Sequence, residues 1–307
     1  MKYLFTLLFA FTFLFNTVFA QADAKKAEAE TSLAPTKNEN SLLWEITGNG
    51  LQSPSWLYGT IHLIGKDDFF LTDSTRAFID RAKMVTFEIN MEEMTDLSAQ
   101  MGLLMKAFMD DGKTLRDLLN DEDYKVVSDH FNEIGLPLFM LERIKPMFLT
   151  VLASGDMSPT SMSSGEMLSY EMEIMELAQK DEKEMGGLET MEFQMSVFDS
   201  IPYDAQAKML VESIKSADAG DEEFAKMVEL YKKQDISGMA NMMGEEEGVG
   251  EYEDLLLTAR NKNWIPVMGK MMLEQPTFFA VGAGHLGGET GVVALLRKEG
   301  YTVLPVR

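Results

Sequence analysis

The sequence predicts an α/β protein whose central mixed sheet is built from two related strand–turn–helix–strand halves, with a large helical insertion in the middle. Three observations support this prediction. The phrase Gly-x-x-His-Leu-x-Gly occurs twice, at residues 59–65 and 282–288. Each copy follows an apolar run typical of a strand and precedes a helical pattern. Between the copies, residues of about 96–273 carry mostly helical periodicity.

The first half begins with two apolar runs, residues 41–48 and 56–64, separated by glycine, serine and proline residues. This spacing predicts an antiparallel pair joined by a broad loop. Residues 72–74 offer helix caps, and apolar positions within 77–82 predict a short helix. The half ends with a predicted strand at 84–89.

The second half repeats that order near the C-terminus, with a strand at residues 277–281, a helix at about 289–299 and a strand at 301–306. Two strands joined by a crossover in one sheet are usually parallel, with a right-handed connection. Both histidine turns should therefore lie at the carboxyl ends of strands. Ligand sites in open α/β sheets gather at that edge.

The middle of the chain is predicted to be helical, apart from one strand at residues 184–188 and an acidic, glycine-bearing loop at 244–250. Apolar residues recur there at the spacing of helices that pack on one face. The predicted helices cover residues 96–109, 114–134, 137–153, 166–180, 193–217, 222–234 and 251–273.

The N-terminal residues differ in composition from the rest of the chain. Lys2, an apolar run and small residues before a cleavage point after Ala20 predict a secretory signal peptide over residues 1–20. A retained anchor is the alternative, but polar residues interrupt the run. Residues 21–40 lack apolar periodicity and predict a flexible leader before a domain at 41–307. The protein is thus predicted to be periplasmic or secreted, with no stable membrane span after cleavage.

The 307-residue chain carries a formal net charge of −23 at pH 7 and contains no cysteine. Such a surface repels nucleic acid and anionic membranes, so neither is expected as a partner. Because no loop with calcium spacing occurs, a solvated acidic exterior is favoured over calcium storage. Disulfides are excluded, and stability must come from the core.

The paired phrases contain His62 and His285, two of the three histidines in the chain. Glycine permits a sharp backbone path that lifts an imidazole towards a pocket, so Gly59 and Gly282 belong to the same site prediction. A lone histidine beside glycine is more often a hydrogen-bonded structural residue, but two copies in matching contexts favour one shared site. His130 lies in a helical pattern without a glycine turn and is predicted to be a surface residue.

Glu88 is a carboxylate within the otherwise apolar run at residues 84–89. A charge in a central strand usually needs a partner or a metal. The alternative is an outward-facing or salt-bridged glutamate on an edge strand. With His62 and His285, Glu88 would complete a set of two histidines and one carboxylate that leaves a position open for water.

Four further polar residues are site candidates. Arg260 and Asn261 end an apolar helical face, and Arg260 can bind a substrate carboxylate or oxyanion, although an ordinary surface arginine fits equally well. Glu189 follows a predicted strand and Gln194 comes one turn later, which suits a helix cap or a site contribution.

The 25 methionines are compatible with copper(I) binding, but their scatter favours core packing. No serine-hydrolase elbow, phosphate loop, dinucleotide fingerprint or His-Glu-x-x-His helix occurs.

These residues resemble the TraB/GumN family, which includes the pheromone-shutdown protein PrgY and is related to the Tiki metalloproteases. The resemblance implies an α/β fold with two related halves and, from the Tiki-like members, a metal-dependent peptidase site at His62, Glu88 and His285. The matching words cover nearly the whole predicted domain, at residues 57–62, 87–88, 187–190, 194, 260–261, 281–286 and 300–303.

One departure from the family pattern concerns Glu171. Family members often carry a Gly-x-Asp phrase before the helix that leads to the Gly-Leu-Glu-Thr word, whereas this chain has Ser169-Tyr170-Glu171. If that aspartate serves the site, Glu171 would replace it with a longer reach.

The residues and the resemblance together predict an exported metal-dependent hydrolase, specifically a peptidase, in which a metal held by His62 and His285 activates water. Glu88 is either a ligand or the general base, the metal is zinc, manganese or cobalt, and the substrate is a peptide or another small molecule. The second interpretation is a non-catalytic protein that binds a metal or a porphyrin-like ligand in the same cleft. A third is an accessory factor in envelope or surface-polysaccharide biology. The sequence leaves the oligomeric state open.

Overall fold

A computed structural model describes residues 32–91, 102, 105–153, 167–215, 217–245, 252 and 254–307. In chain order its strands are β1 (Leu43–Gly48), β2 (Ser55–Thr60), β3 (Ile64–Gly65), β4 (Met84–Ile89), β5 (Met167–Leu168), β6 (Glu184–Glu189), β7 (Thr277–Gly282) and β8 (Tyr301–Val306). Six strands form one sheet in the order β6-β4-β7-β2-β1-β8, and β3 pairs with β5 separately. Within the large sheet β1 is antiparallel to both neighbours and the other pairs are parallel, so the predicted mixed sheet is confirmed.

Helices cover the sheet and fill the middle of the chain. They are α1 (Asp73–Arg81), α2 (Leu115–Leu118), α3 (Asp121–Glu133), α4 (Pro146–Ala153), α5 (Tyr170–Lys180), α6 (Met191–Asp199), α7 (Tyr203–Lys215), α8 (Ala217–Lys232), α9 (Ile236–Glu245), α10 (Ala259–Glu274) and α11 (Val292–Lys298). A π-helical turn, Asp254–Thr258, directly precedes α10.

The two predicted half-units are present, but their strands are interleaved. α1 connects β2 to β4, and α11 connects β7 to β8. The strands within each half are parallel, as predicted, although they are not neighbours: β7 lies between β2 and β4, while β2 and β1 lie between β7 and β8. As a result, the two strands that lead into the histidine turns, β2 and β7, pair directly, with Thr60 opposite Gly282.

Several helices of the middle are shorter than predicted because caps and prolines interrupt them. The Asn120 side chain accepts the backbone N–H groups of Glu122 and Asp123 and so begins α3 within the predicted helix 114–134. Pro202 separates α6 from α7. The predicted helix 166–180 starts later, after β5, and the predicted loop 244–250 starts within α9. Residues 96–101 and 246–250 lie outside the described residues.

The core lies mainly around the central strands. Every residue of β2 is buried, and so are the first five residues of β7, as expected for parallel strands covered on both faces. Trp44, Trp264 and Phe278 are among the large side chains with no exposed surface. A second, smaller apolar cluster lies among α2, α3, α4 and α7.

Residues Ala34–Arg307 form one compact unit, which starts before Ser41, the predicted beginning of the domain. Arg297 Nη2 donates to Glu39 Oε1 at 2.7 Å, and the Asn40 amide donates to Asp235 Oδ1 at 2.6 Å. The end of the predicted leader, residues 34–40, is therefore part of the unit and not a flexible segment before it. The predicted signal peptide falls within residues 1–31, outside the described part of the chain. Among the described helices, none is long and apolar enough to cross a membrane.

Candidate active site

Both histidine turns lie at the carboxyl edge of the sheet, after β2 and β7. Beyond β7 the chain makes a 3-10 turn, Ala283–His285, that contacts β2. A Cβ on Gly59 would lie only 3.0 Å from the Ala283 Cβ and 3.1 Å from the Leu286 Cδ2. The close approach of β2 to this turn therefore favours glycine at position 59.

His285 is buried, and its two ring nitrogens have different partners. Nδ1 lies 2.7 Å from Asn261 Oδ1, while the Asn261 amide nitrogen donates to the Thr290 carbonyl at 3.0 Å. The amide oxygen therefore accepts the N–H of Nδ1, and Nε2 carries the lone pair. Arg260 Nη1 donates to that Nε2 at 3.3 Å. Burial and the positive charge of Arg260 lower the pKa of His285 more than the negative charge of Glu88 raises it. The pKa is about 4, so the imidazole is neutral at pH 7.

Glu88 reaches the same edge from β4, which is an internal strand. Its Oε1 accepts the backbone N–H of Gly282 at 2.9 Å and lies 3.7 Å from His285 Nε2. A Cβ on Gly282 would lie 3.2 Å from that oxygen, so glycine favours this contact. Oε2 accepts from Arg260 Nη2 at 2.6 Å and from Gln194 Nε2 at 3.5 Å. Burial alone would raise the pKa of Glu88, but the positive charge around it and the backbone N–H lower it to about 2.

Arg260 is buried near the start of α10, rather than lying on the surface, and each of its five N–H donors has an acceptor. Nε and Nη2 donate to Glu189 Oε1 at 2.9 and 2.6 Å, and Nη2 also donates to Glu88. Nη1 donates to the Leu256 carbonyl at 3.2 Å and to His285 Nε2. In this arrangement the guanidinium has no donor left for a substrate oxyanion.

Trp264 is a site residue that no pattern in the sequence identifies. Its Nε1 donates to Glu189 Oε2 at 2.9 Å, its ring centre lies 4.5 Å from that of His285, and Arg260 Cζ lies 4.9 Å from the ring. Gln194 donates to the other oxygen of Glu189 at 3.3 Å. Trp264 thus contacts three members of the network. The one available signal is its spacing of four residues from Arg260, which places both on one helix face.

His62, beyond the end of β2, has a carboxylate partner. Its Nδ1 lies 3.0 Å from Glu171 Oε1, and its side chain is 78% exposed. Glu171 in turn accepts from Thr60 Oγ1 at 2.7 Å and from Ser169 Oγ at 3.1 Å. The hydrogen bond and negative charge of Glu171 raise the pKa of His62, which favours the protonated imidazole. The structure therefore places Glu171, the residue that departs from the family pattern, directly beside a predicted ligand.

The donor chemistry of this edge fits a divalent metal. Each imidazole directs Nδ1 at an oxygen, of Glu171 or of Asn261, which leaves Nε2 for a ligand, as is typical of metal-binding histidines. The 3.7 Å between Glu88 Oε1 and His285 Nε2 is close to the roughly 3.4 Å between two ligands with bonds of about 2.1 Å around a tetrahedral metal. Within the described ranges, however, no three His, Cys, Asp or Glu side chains are already grouped to hold a metal.

The predicted site residues fall into two neighbouring groups, and His130 belongs to neither. His62 and Glu171 form a pair after β2. His130 is on α3, where its Nε2 lies 2.9 Å from the Ala153 carbonyl. The remaining predicted side chains form one hydrogen-bonded network: Glu88, Glu189, Gln194, Arg260, Asn261 and His285.

Comparisons with known proteins place this site in context. A family model described as the TraB/PrgY/gumN family matches residues 42–305. The chain is 23% identical to the Danio rerio protein named Metalloprotease TIKI1, over 88% of this chain and 64% of the relative. It is 22% identical to Metalloprotease TIKI2 of the same organism, over 87% of this chain and 61% of the relative. The chain thus spans about three fifths of the length of these relatives. No solved structure gives a significant match.

Proposed function

Because the chain belongs to the TraB/PrgY/gumN family, we propose that it is a metal-dependent hydrolase and that its substrate is a peptide. The observation that carries this proposal is the pair of histidine turns on adjacent parallel strands, each with Nδ1 beside an oxygen, so that Nε2 is the ring nitrogen a metal would bind. The ionised Glu88 lies beside one of them. The names of the two relatives support the same class of reaction.

The proposed ligands are Nε2 of His62, Nε2 of His285 and the Glu88 carboxylate. A bound zinc, manganese or cobalt ion would lower the pKa of a water molecule and polarise the scissile carbonyl. Asn261 holds His285 in the tautomer that presents Nε2, and Glu171 orients His62 in the same way. A general base works best with a pKa near the operating pH. The pKa of about 2 for Glu88 therefore supports a role as ligand rather than base.

Peptide cleavage by the purified protein tests this function. With zinc, manganese or cobalt added, a fluorescence-quenched peptide library should be cleaved, and a chelator should stop the reaction. His62→Ala and His285→Ala should each reduce the rate by more than about 100-fold, because ligands matter at least as much as the groups that orient them. His130→Ala is the matched control, since His130 lies outside the site, and it should cleave normally. Cleavage that survives in both site variants would contradict the proposed ligand set.

Export is the second part of the proposal. It is supported by the composition of residues 1–20, with Lys2, an apolar run and small residues before Gln21. Expression of the full chain with a C-terminal tag, followed by fractionation and N-terminal sequencing, should give a mature protein that begins at Gln21. An uncleaved protein that stays with the membrane fraction would support the retained anchor instead.

A non-catalytic metal-binding protein is the alternative, and one observation favours it. All five donors of Arg260 are engaged inside the network, so the guanidinium is not free to stabilise an oxyanion. Metal binding by the wild-type protein without cleavage of any peptide in the library would support this alternative.

A further inference from the structure

Arg260 contacts two of the proposed ligands, and at His285 it takes the lone pair that a metal would need. Its Nη1 donates to His285 Nε2 at 3.3 Å, and its Nη2 donates to Glu88 Oε2 at 2.6 Å. A metal ion about 2.0 to 2.1 Å from Nε2 would use the same lone pair. The guanidinium and a metal therefore cannot both bind His285.

Glu189 gives the guanidinium a second partner that is not a proposed ligand. Its Oε1 accepts from Arg260 Nε at 2.9 Å and from Nη2 at 2.6 Å. The other oxygen is fixed by Trp264 Nε1 at 2.9 Å, and the Trp264 ring lies 4.9 Å from the guanidinium carbon. These contacts can persist when Arg260 leaves Glu88 and His285.

We infer that Arg260 is a tethered cation that competes with the metal for Glu88 and His285, and that Glu189 and Trp264 retain it when the metal binds. The inference rests on the proposed metal site. Its physical basis is the cost of burying an uncompensated charge, because without a metal the guanidinium is the cation that balances the Glu88 carboxylate. Metal binding at His285 must displace the guanidinium from Nε2, which weakens the apparent affinity for the metal.

The opposite role would be that of a positioning residue, in which Arg260 holds Glu88 ready for the metal. The two roles predict changes of opposite sign. If Arg260 competes, its removal tightens metal binding. If Arg260 positions Glu88, its removal weakens metal binding. Metal affinity therefore distinguishes the roles without any measurement of catalysis.

Cobalt(II) affinity, measured by competition with a chromophoric chelator, provides the test. Arg260→Gln should tighten binding by about 10- to 100-fold, the range expected from losing one hydrogen bond that involves a charged group. Glu189→Gln should weaken binding, because Arg260 then keeps Glu88 as its charged partner. Arg116→Gln is the matched control: Arg116 is exposed, pairs with Glu142 on the helical middle, and its loss should leave the affinity unchanged.

The double variant R260Q/E189Q covers the case in which R260Q fails to fold. It removes one charge of each sign from the network, and it should bind cobalt(II) more tightly than E189Q alone. Unchanged or weaker binding by R260Q, or by the double variant relative to E189Q, would overturn the inference. Peptide cleavage is scored separately. Tighter cobalt(II) binding by R260Q without peptide cleavage by the wild type would support Arg260 as a competing cation and refute the hydrolase. Histidine-dependent cleavage with no gain in affinity in R260Q would support the hydrolase and refute the competing cation.

Discussion

The protonation state of His285 can be tested directly, because two contacts of its Nε2 predict different charges. Glu88 Oε1 lies 3.7 Å away, a distance that would suit an imidazolium paired with a carboxylate. Arg260 Nη1 donates to the same nitrogen at 3.3 Å, and this contact requires a lone pair. Because Nδ1 already donates to Asn261, a neutral ring with its proton on Nδ1 and its lone pair on Nε2 satisfies both partners. Burial lowers the pKa of His285 from 6.5 to about 4, in agreement with the neutral form.

The lowered pKa predicts how stability depends on pH. Between pH 6.5 and about 4, the unfolded chain binds a proton at His285 that the folded chain does not bind. The stability that the neutral ring contributes to the folded state is therefore fully present above pH 6.5 and is lost as the pH falls towards 4. The difference in pKa corresponds to a loss of about 3 kcal/mol in the free energy of unfolding. Glu88, whose pKa is lowered from 4.5 to about 2, adds a further loss below pH 4.5.

Urea unfolding of the wild type and of His285→Gln, from pH 7 to pH 4, measures this effect. The variant lacks the titrating ring, so its unfolding free energy should fall by about 3 kcal/mol less than that of the wild type. His130→Gln should follow the wild type. NMR titration of the ring nitrogens should show a proton on Nδ1 and a pKa well below 6.5 for His285. A pKa above 6.5, or parallel losses in wild type and variant, would refute the neutral tautomer and with it the availability of Nε2.

Two further changes test the turns themselves. Gly59→Ala should destabilise the protein by about 1 to 3 kcal/mol in urea unfolding, because the new Cβ would lie 3.0 Å from the Ala283 Cβ. Gly65→Ala, in the same phrase, is the control: its Cβ would meet nothing closer than 3.9 Å, and a loss of equal size there would show that crowding is not the cause. Glu171→Gln should lower the pKa of His62 in an NMR titration, because the carboxylate charge that raises it is removed. An unchanged pKa would mean that another group sets it.

The sequence predicts where a single strand begins and ends better than it predicts which strand pairs with it in the sheet. The strands at residues 84–89 and 301–306 have the predicted bounds, because their apolar residues end at polar residues or glycine that are visible in the sequence. The insertion of β7 between β2 and β4 depends on contacts between residues far apart in the chain. Strand periodicity identifies buried faces, but it does not identify which strand lies alongside.

The same limit applies to the site. Position at a carboxyl edge was sufficient to predict that His285 and Glu88 lie close together. The partner of Arg260 was not predictable, because a helix pattern shows which side is buried but not what covers it. Trp264 fits any apolar helix face, and only the packed structure shows its ring beside His285 and its N–H on Glu189. The sequence also could not show that His62 is exposed and His285 buried, since both histidines lie in phrases with the same glycine spacing.

The two copies of the phrase differ in the group that binds Nδ1, and this difference determines the state of each imidazole. Glu171 is a carboxylate, and its charge raises the pKa of His62. Asn261 is a neutral amide, so burial dominates and lowers the pKa of His285. His285 therefore presents a lone pair at Nε2, while His62 presents a proton there that a metal must displace.

The charges of the network can be balanced with a metal and with Arg260 both present. If His62 loses its proton on metal binding, the three carboxylates of Glu88, Glu171 and Glu189 face the arginine and one divalent cation. Three negative charges then meet three positive charges. Because buried charges are stable only when they are compensated, this balance favours a metal that binds alongside Arg260, with the guanidinium kept on Glu189, over a metal that replaces it.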